Sequence, residues 1–447
     1  MSTSNQPHDK ELQLENQPAS HRDDSNSAPS DTTNSQSKEH DEADQFSDIP
    51  DGGLVAWLCV FGVWCTSFCS YGWSSSIGSF QQYYQNVLLP DYTPSQISWI
   101  PSLQIFFMMA LGPVVGKLYD HYGPHHMMLI GSFLHVFGLM MASLGTEYYQ
   151  LLLAQGACSA IGVSTIFQPA LNTLHGWFHL KKGVVFGIVS TGSSVGGIIF
   201  LIMVSRMIER VGFPWAMRTC AFVVLVLLVI ANLTVRNRIP PHPQKTTVQS
   251  LWQPFKETEF TTITIGTGIL TYGIFIPINY LPAQAFDMGM DSKLTDNVLA
   301  ILNAGSLFGR IASGLVGDKI GRYNIFIIVC YLSALWTLAL WIPASNSAAI
   351  VAFAVLFGFT SGAYVSLLAP LVAQISPPAE IGFRSGLVFS AESVGGLTTN
   401  PISGAIREGP LGWQGTKIFA GVLGVVGTTF ILAARIHRTG FNLLAKF

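Results

Sequence analysis

The sequence predicts an all-α membrane protein of about twelve transmembrane helices, arranged as two pseudo-symmetric six-helix bundles. Three observations lead to this prediction. Charged residues make up 11% of the 447 positions, whereas soluble domains carry roughly 25%. Apolar segments of about 20 residues, the length that crosses a bilayer, recur along most of the chain. The two halves of this apolar region also repeat each other.

The first 50 residues form a polar segment unlike the rest of the chain. They contain eleven of the 25 acidic residues, three of the 23 basic residues and few large apolar side chains. Such a segment cannot bury enough apolar surface to offset its ordering entropy, so residues 1–50 are predicted to be a disordered acidic tail. They lack the features of a secretory signal, and we expect the first span to direct membrane insertion.

Twelve predicted spans follow this tail, each bounded by polar loops. They are residues 54–78, 96–116, 126–145, 149–172, 183–205, 214–235, 261–282, 296–317, 324–343, 349–372, 385–406 and 415–436. The first six form a predicted N-terminal bundle over residues 51–236. A linker over residues 237–260 joins it to a C-terminal bundle over residues 261–436, and residues 437–447 form a C-terminal tail.

Basic residues are concentrated in the loops on one side of these spans. An even number of spans puts both termini on that side, where lysine and arginine are frequent, while the opposite loops contain few. Basic loops are retained in the cytosol during insertion. The sequence therefore predicts cytosolic termini, and the plasma membrane is the expected location.

The two halves of the membrane region share short segments at one spacing. The matched positions are 198 or 199 residues apart: Gly116 and Gly314, Ser194 and Ser393, and Trp215 and Trp413. Three matches in different places indicate a duplicated six-helix unit. In such proteins the ligand site lies between the repeats.

The first of these matches is a loop of the form Gly-x-x-x-Asp-x-x-Gly, which contains Asp120 in one copy and Asp318 in the other. Glycine permits a tight turn and a close helix approach. An aspartate can accept hydrogen bonds at a neighbouring helix N-terminus, where the helix dipole favours an anion. We expect Asp120, Asp318 and Arg322 to form gating contacts, although an ordinary capped loop would show the same pattern.

This loop resembles the signature of the major facilitator superfamily, and the resemblance covers residues 51–436. The second copy is the better match. In the first copy, His121 and residues 124–126 stand where the family usually has arginine or lysine. The resemblance implies an alternating-access transporter and not an enzyme, with a first gating contact that is weaker or sensitive to pH.

A narrower resemblance, to monocarboxylate transporters, rests on three segments. They are residues 51–57, with Asp-Gly-Gly before Ala-Trp, residues 169–178, and residues 303–310, which resemble the fungal branch. Animal members have a lysine where Ser75 stands here and an acid where Ser306 stands. Because both charges are absent, the resemblance does not specify lactate or pyruvate.

Arg310 and Glu392 are the two formal charges that lie well inside predicted spans. An ionisable side chain at that depth costs several kcal/mol, so a functional role is the default hypothesis. Arg310 lies about 12 Å from its helix end at 1.5 Å per residue, and a guanidinium can grip a carboxylate bidentately. Glu392 is a candidate proton carrier. Alternatively, the two side chains pair with each other and only hold the helices together.

Four further polar or aromatic side chains are candidates for binding substrate: Tyr71, Gln168, Asn279 and Asn303. Hydrogen bonding between helices is the alternative role for each of them. His175 and His179 have the spacing of a metal pair but no third ligand, so neither a metal nor a cofactor is predicted. No phosphate-binding loop and no nucleic-acid-binding pattern are found.

The predicted function is secondary-active transport of a small organic anion, a monocarboxylate in particular, across a lipid bilayer. A proton gradient, with symport of protons, is the expected energy source, and facilitated diffusion without an energy source also fits these residues. One alternative keeps the fold and changes the cargo, to an exported secondary metabolite or a vitamin-like aromatic. The other alternative is a membrane sensor that does not transport.

Overall fold

The structure is a computed structural model that describes residues 50–76, 80, 83–238, 251–442 and 445. Regular structure in this part of the chain is helical, and twelve long helices follow one another. They are α1 Leu54–Ser75, α2 Trp99–Tyr122, α3 His125–Ala142, α4 Tyr148–Gly176, α5 Lys182–Val211, α6 Phe213–Thr234, α7 Thr258–Asp287, α8 Ser292–Ile320, α9 Arg322–Trp341, α10 Ser347–Gln374, α11 Ile381–Glu408 and α12 Gly412–Thr439. The predicted fold class is confirmed.

Eleven of these described helices are long and apolar enough to cross a membrane. The other is α11, which is rich in small polar residues and carries four charges. Many of its side chains are buried against other helices, so α11 does not need an apolar surface toward lipid.

The helix ends differ from the prediction by a few residues. For example, α8 begins at Ser292 and ends at Ile320, and so is longer than the predicted span 296–317. The apolar pattern marks the part of a helix that lies in hydrocarbon, whereas backbone hydrogen bonding continues into the polar turns on either side. The prediction for the tail falls on residues 1–49, and part of the predicted linker falls on residues 239–250. Both stretches lie outside the described residues.

Glycines make the tightest connections between helices. Gly123, Gly212 and Gly321 have positive φ angles of 76°, 80° and 113°. Each reverses the chain between two helices within one or two residues, a conformation that other residues rarely adopt. Two of these glycines are the last residues of the duplicated loops.

Two pairs of helices make the most extensive contacts between the first six helices and the last six. α2 packs on α11, and α5 packs on α8. Along the first pair, a Cβ atom added to Gly116 would meet the carbonyl oxygen of Gly382. Along the second, a Cβ atom added to Gly187 would lie 2.6 Å from the carbonyl oxygen of Arg310. Small residues thus let the backbones touch, as is common between membrane helices.

Candidate functional site

A cavity of about 160 Å³ lies between the two sets of six helices. Its walls come from α1, α2, α4, α5, α7, α8, α10 and α11. Five of the predicted residues line it: Tyr71, Asn279, Asn303, Arg310 and Glu392. Gln168 does not line it, although its neighbour Phe167 does. Gln168 is buried on α4, and its Oε1 atom has no hydrogen-bond partner among the described residues.

Arg310 connects α8 to α5 from inside the cavity. Its Nη1 donates to the carbonyl oxygen of Ser190 and to the hydroxyl of Ser193. Its Nε donates to the hydroxyl of Ser306, one turn earlier on α8, at 3.0 Å. Ser306 occupies the position where animal monocarboxylate transporters have an acid, so a neutral hydroxyl replaces the charge there.

Glu392 has a different partner from Arg310. The hydroxyl of Tyr364 on α10 donates to Glu392 Oε1 at 2.6 Å. Glu392 and Arg310 form no ion pair with each other, so the hypothesis of a structural pair is wrong for this conformation. The two groups do not pair because each forms hydrogen bonds with a neighbouring helix, Arg310 with Ser190 on α5 and Glu392 with Tyr364 on α10.

The two predicted asparagines meet neutral groups. Asn279 Nδ2 donates to Asn400 Oδ1 at 2.9 Å, which connects α7 to α11. The amide nitrogen of Asn303 would lie 3.1 Å from a Cβ atom at Gly197, so this glycine makes room for the Asn303 amide between α8 and α5. Both asparagines leave part of their amide group at the cavity wall.

The remaining wall is apolar with scattered hydroxyl groups. The aromatic side chains are Tyr71, Phe167, Phe186, Phe275, Tyr364 and Phe389, and the serines are Ser67, Ser74, Ser75, Ser190, Ser193, Ser306 and Ser361. Tyr71 contacts Phe167 edge to face, with ring centroids 4.9 Å apart. Phe167 in turn contacts Phe389 across the two halves at 6.4 Å. Such a wall suits an organic molecule with few polar groups.

The duplicated loops lie at the face where α1 begins, α2 ends and α8 ends, which we call the terminal face. In the second copy, Asp318 Oδ1 and Oδ2 accept hydrogen bonds from the backbone amides of Gly183 and Val184, both at 2.9 Å. These amides belong to the first turn of α5, which has no intrahelical acceptors for them. Arg322 forms an ion pair with Asp318 at 2.9 Å. We call this arrangement the second latch.

The first copy makes the same contact with α11. Asp120 Oδ1 and Oδ2 accept hydrogen bonds from the amides of Gly382 and Phe383, at 3.1 and 2.9 Å. We call this the first latch. Asp120 has no ion pair among the described residues, because Pro124 stands where Arg322 stands in the second copy. The predicted hydrogen bonds are therefore present in both copies, and the first copy lacks the supporting cation.

Asp51 contributes a third set of hydrogen bonds at the terminal face. Its carboxylate accepts from the amides of His179, Leu180 and Lys181, at 2.8 to 3.3 Å. Asp51 has a positive φ of 47°, an unusual conformation for a residue other than glycine. Burial lowers the pKa of His179, and the nearby charge of Lys182 lowers it further. The turn between α4 and α5 is thus held by Asp51 beside the His179 imidazole.

Two of the three segments that resemble monocarboxylate transporters contact each other. Trp57 lies edge to face on Phe178, with ring centroids 5.6 Å apart, and Asp51 binds the residues that follow Phe178. Sequence reasoning found both segments without connecting them. It did not single out Tyr364, Ser190 and Ser193, because the sequence does not show which of the many hydroxyl groups inside spans face the cavity.

His175 does not form part of a metal site in the described structure. Its ring stacks on Phe186 with a centroid distance of 4.9 Å. No group of three or more potential histidine, cysteine or carboxylate ligands lies together within the described residues.

Comparison with known proteins identifies related chains. A family profile described as Major Facilitator Superfamily matches residues 59–346 and 263–442. The MFS transporter asaE of Aspergillus flavus is 56% identical over 407 residues, which cover 90% of this chain and 92% of that protein. The Fujikurins efflux protein of Gibberella fujikuroi is 50% identical over 412 residues, covering 92% and 88%. The MFS-type transporter 1 of an Ophiocordyceps species is 50% identical over 401 residues, covering 90% and 89%.

Proposed function

The chain belongs to the major facilitator superfamily, and from this premise we propose that it exports an organic metabolite that carries an acidic group. As a member of this family it is a multi-pass membrane transporter of small molecules and not an enzyme. The Fujikurins efflux protein is an exporter by its name, and its 50% identity over most of both chains supports export here. This proposal adopts the exporter alternative and keeps the predicted anionic group.

The environment of Arg310 is the observation that favours an acidic group. Arg310 is buried, with 7% of its surface exposed, and its partners Ser190, Ser193 and Ser306 are all neutral. A buried cation that lacks a carboxylate bears an uncompensated desolvation cost. A carboxylate or acidic phenol on the substrate would supply the missing anion and match the guanidinium geometry.

Substrate binding and opening of the two halves are coupled through Arg310 in this proposal. The cavity is about as large as one that holds a single benzene molecule, so a larger metabolite requires the halves to separate. The acceptors that Arg310 now uses on α5 belong to the other half. When a substrate acid takes over the guanidinium, the contact with Ser190 and Ser193 is released and α5 can move away from α8.

The remaining predicted roles follow from the same scheme. Asp120, Asp318 and Arg322 close the terminal face in one conformation and release it in the other. Glu392 carries the coupling proton, with Tyr364 as its hydrogen-bond partner in this conformation. Tyr71, Asn279 and Asn303 contact the substrate. The termini lie in the cytosol, since basic residues predominate at the terminal face, and the plasma membrane is the proposed location.

The second candidate is a carrier of small monocarboxylates. The specific observation in its favour is that Arg310 and the neighbouring Asn303 line the cavity together, in the segment that resembles those transporters. Lactate or pyruvate would also fit the cavity without separation of the halves. Proton coupling and facilitated diffusion are both compatible with this candidate.

Transport into proteoliposomes distinguishes these proposals. We would follow a panel of hydroxylated aromatic carboxylic acids, their neutral methyl esters, lactate and pyruvate, with and without a proton gradient. We expect the aromatic acids to be transported and the esters to be excluded. We expect Arg310→Gln to reduce acid transport at least tenfold, since hydrogen bonds to charged groups contribute about 1.5–3 kcal/mol.

Arg218→Gln is the matched control, because Arg218 lies on α6, contacts Ser143 and Trp215 and does not line the cavity. Equal transport of acids and esters would contradict an acidic cargo. Transport of lactate and pyruvate alone would favour the second candidate. Exporter direction is tested separately, by the rate at which preloaded cells that express the chain release the transported acid.

A further inference from the structure

A second cavity, of about 830 Å³, opens at the terminal face, apart from the central cavity. α2 forms one wall, the first turns of α11 form another, and the segment before α7 forms the third. The lining residues are Pro113, Val114, Lys117, Leu118, His121, Tyr122, Leu251, Trp252, Phe255, Phe383 and Leu387. We call this cavity the α2–α11 groove.

The groove is mainly apolar and faces away from the protein. Val114, Tyr122 and Trp252 are 59%, 62% and 64% exposed. Apolar side chains on other spans are equally exposed, for example Phe133 at 66% and Leu233 at 69%, so the concave shape between three walls is what distinguishes this surface. Because α2 is long and apolar enough to span a membrane, the groove, at the end of α2, lies near the membrane surface. Tryptophan and tyrosine are the residues that favour the boundary between hydrocarbon and headgroups.

The polar part of the groove is basic. Lys117 and His121 line it, one turn apart on α2, and none of the lining residues is acidic. The Lys117 ammonium lies 5.6 Å from the ring centre of Phe383. The nearby carboxylate of Asp120 is already bound to the amides of α11. Lys117 lies five residues before the end of α2, or about 8 Å, from where a lysine reaches the headgroup layer.

We propose that the α2–α11 groove binds an anionic phospholipid from the adjoining leaflet. Its acyl chains lie against Val114, Leu118 and Leu387, and its phosphate contacts Lys117 and His121. The combination of an apolar trough with the Lys117 cation and the His121 imidazole at one end matches an anionic lipid better than a zwitterionic lipid, whose own ammonium Lys117 would repel.

This site exists in full only when the terminal face is closed. α2 belongs to the first six helices, whereas α11 and the segment before α7 belong to the last six. The first latch and the contact between Gly116 and Gly382 hold these walls together. A ligand that binds one conformation better than the other shifts the equilibrium toward it. The bound lipid therefore favours the latched conformation and slows its release.

Lipid retention tests the site directly. The purified full chain is delipidated in detergent and titrated with phosphatidylglycerol or phosphatidylcholine of identical acyl chains, and bound lipid is counted by native mass spectrometry. We expect one phosphatidylglycerol to bind in preference to phosphatidylcholine. Lys117→Gln should bind it about five-fold more weakly, as expected for one basic residue at a lipid surface. Val114→Trp, which fills the groove and keeps the charge, should also bind it more weakly.

Lys181→Gln is the control, because Lys181 is an exposed lysine at the same face that does not line the groove; it should bind phosphatidylglycerol like the original chain. Hydrogen exchange in nanodiscs provides the second measurement: phosphatidylglycerol should slow exchange of the Gly382 and Phe383 amides, and Lys117→Gln should abolish this effect. Equal binding of the two lipids, or unchanged binding in both groove variants, would overturn the proposal. Unchanged lipid binding in both groove variants is the result expected if residues 239–250 of the chain occupy the groove instead.

Discussion

At the scale of single residues, the central cavity holds two opposite charges that do not meet. Arg310 reaches across to α5, and Glu392 accepts a hydrogen bond from Tyr364 on α10. Each charge is therefore held by neutral partners, and each remains available to an ion that enters the cavity. Two compensated charges would have fixed the helices together, whereas two separate charges can respond to substrate and proton independently.

Tyr364 is the residue whose removal tests the role of Glu392. Tyr364→Phe removes the 2.6 Å hydrogen bond and leaves the ring in place. A hydrogen bond to a charged group contributes about 1.5–3 kcal/mol. Its loss favours the protonated form of Glu392, so we expect the pH at which transport is half maximal to rise by about one unit or more. The measurement is transport rate against pH in proteoliposomes.

Tyr331→Phe serves as the comparison, because Tyr331 bonds Thr429 on the outer surface, away from the cavity. If both variants keep the original pH profile, Glu392 does not carry the coupled proton. If Tyr364→Phe lowers the rate equally at every pH, Tyr364 has a role in packing or substrate contact instead.

At the scale of helices, two glycine seams allow the halves to close. Gly112 and Gly116 on α2 face Gly386 and Gly382 on α11, while Gly183 and Gly187 on α5 face α8. Both seams end at a latch, so the aspartates can reach the first amides of α11 and α5 only because the helix backbones touch. The position of α11 accounts for its low apolarity, because one of its faces forms a seam and another lines the cavity.

One added methyl group tests the first seam. In Gly386→Ala the new Cβ atom would overlap the carbonyl oxygen of Gly112, and overpacking of this kind costs about 1–3 kcal/mol. We expect the latched conformation to lose population by about ten-fold or more, with faster hydrogen exchange of the Gly382 and Phe383 amides.

Gly404→Ala is a control on the same helix, since its added Cβ atom would meet only the Tyr280 hydroxyl, at 3.5 Å. Alanine has a higher helix propensity than glycine and would by itself slow exchange, so exchange that is equally fast in both alanine variants would show that the overlap with Gly112 is not what frees the amides of α11.

At the scale of the whole molecule, the terminal face is closed by two unequal latches. Both aspartates bind two amides, and among the described residues Asp318 alone is also paired, with Arg322. Asp51 resembles them in chemistry but binds the turn between α4 and α5, within the first six helices. The three aspartates therefore supply two contacts between the halves and one matched contact inside a half.

Replacing each aspartate by asparagine measures these contacts. Asp318→Asn should open the terminal face more than Asp120→Asn, because it also loses the ion pair. Each variant weakens two charge-assisted hydrogen bonds, which contribute about 1.5–3 kcal/mol apiece. Accessibility of the cavity from the terminal face, followed by hydrogen exchange and by transport, provides the measurement. Asp51→Asn should leave the equilibrium between the closed and the open terminal face unchanged. If it opened this face as much as Asp318→Asn does, the assignment of the latches would be contradicted.

The candidate site was only partly predictable from the sequence. Arg310 and Glu392 were found because a charge inside an apolar span is conspicuous, and Tyr71, Asn279 and Asn303 because polar groups there are uncommon. Gln168 carried the same signal, yet it lies behind the cavity wall on α4. Tyr364 was not singled out, although it donates to Glu392. Asp51 was found as part of a motif, and the sequence did not show its contact with His179.

The sequence by itself determined the helices, their number and the duplicated loops. These features are local, because a bilayer requires about 20 apolar residues in each span and a tight turn requires glycine at a fixed place. Tertiary structure alone decided which side chains face the cavity and which partners Arg310 and Glu392 take. The physical reason is that the sequence places a residue on one face of its helix, but only the neighbouring helices decide what that face contacts. The packing of α5 on α8 and of α2 on α11 sets those neighbours.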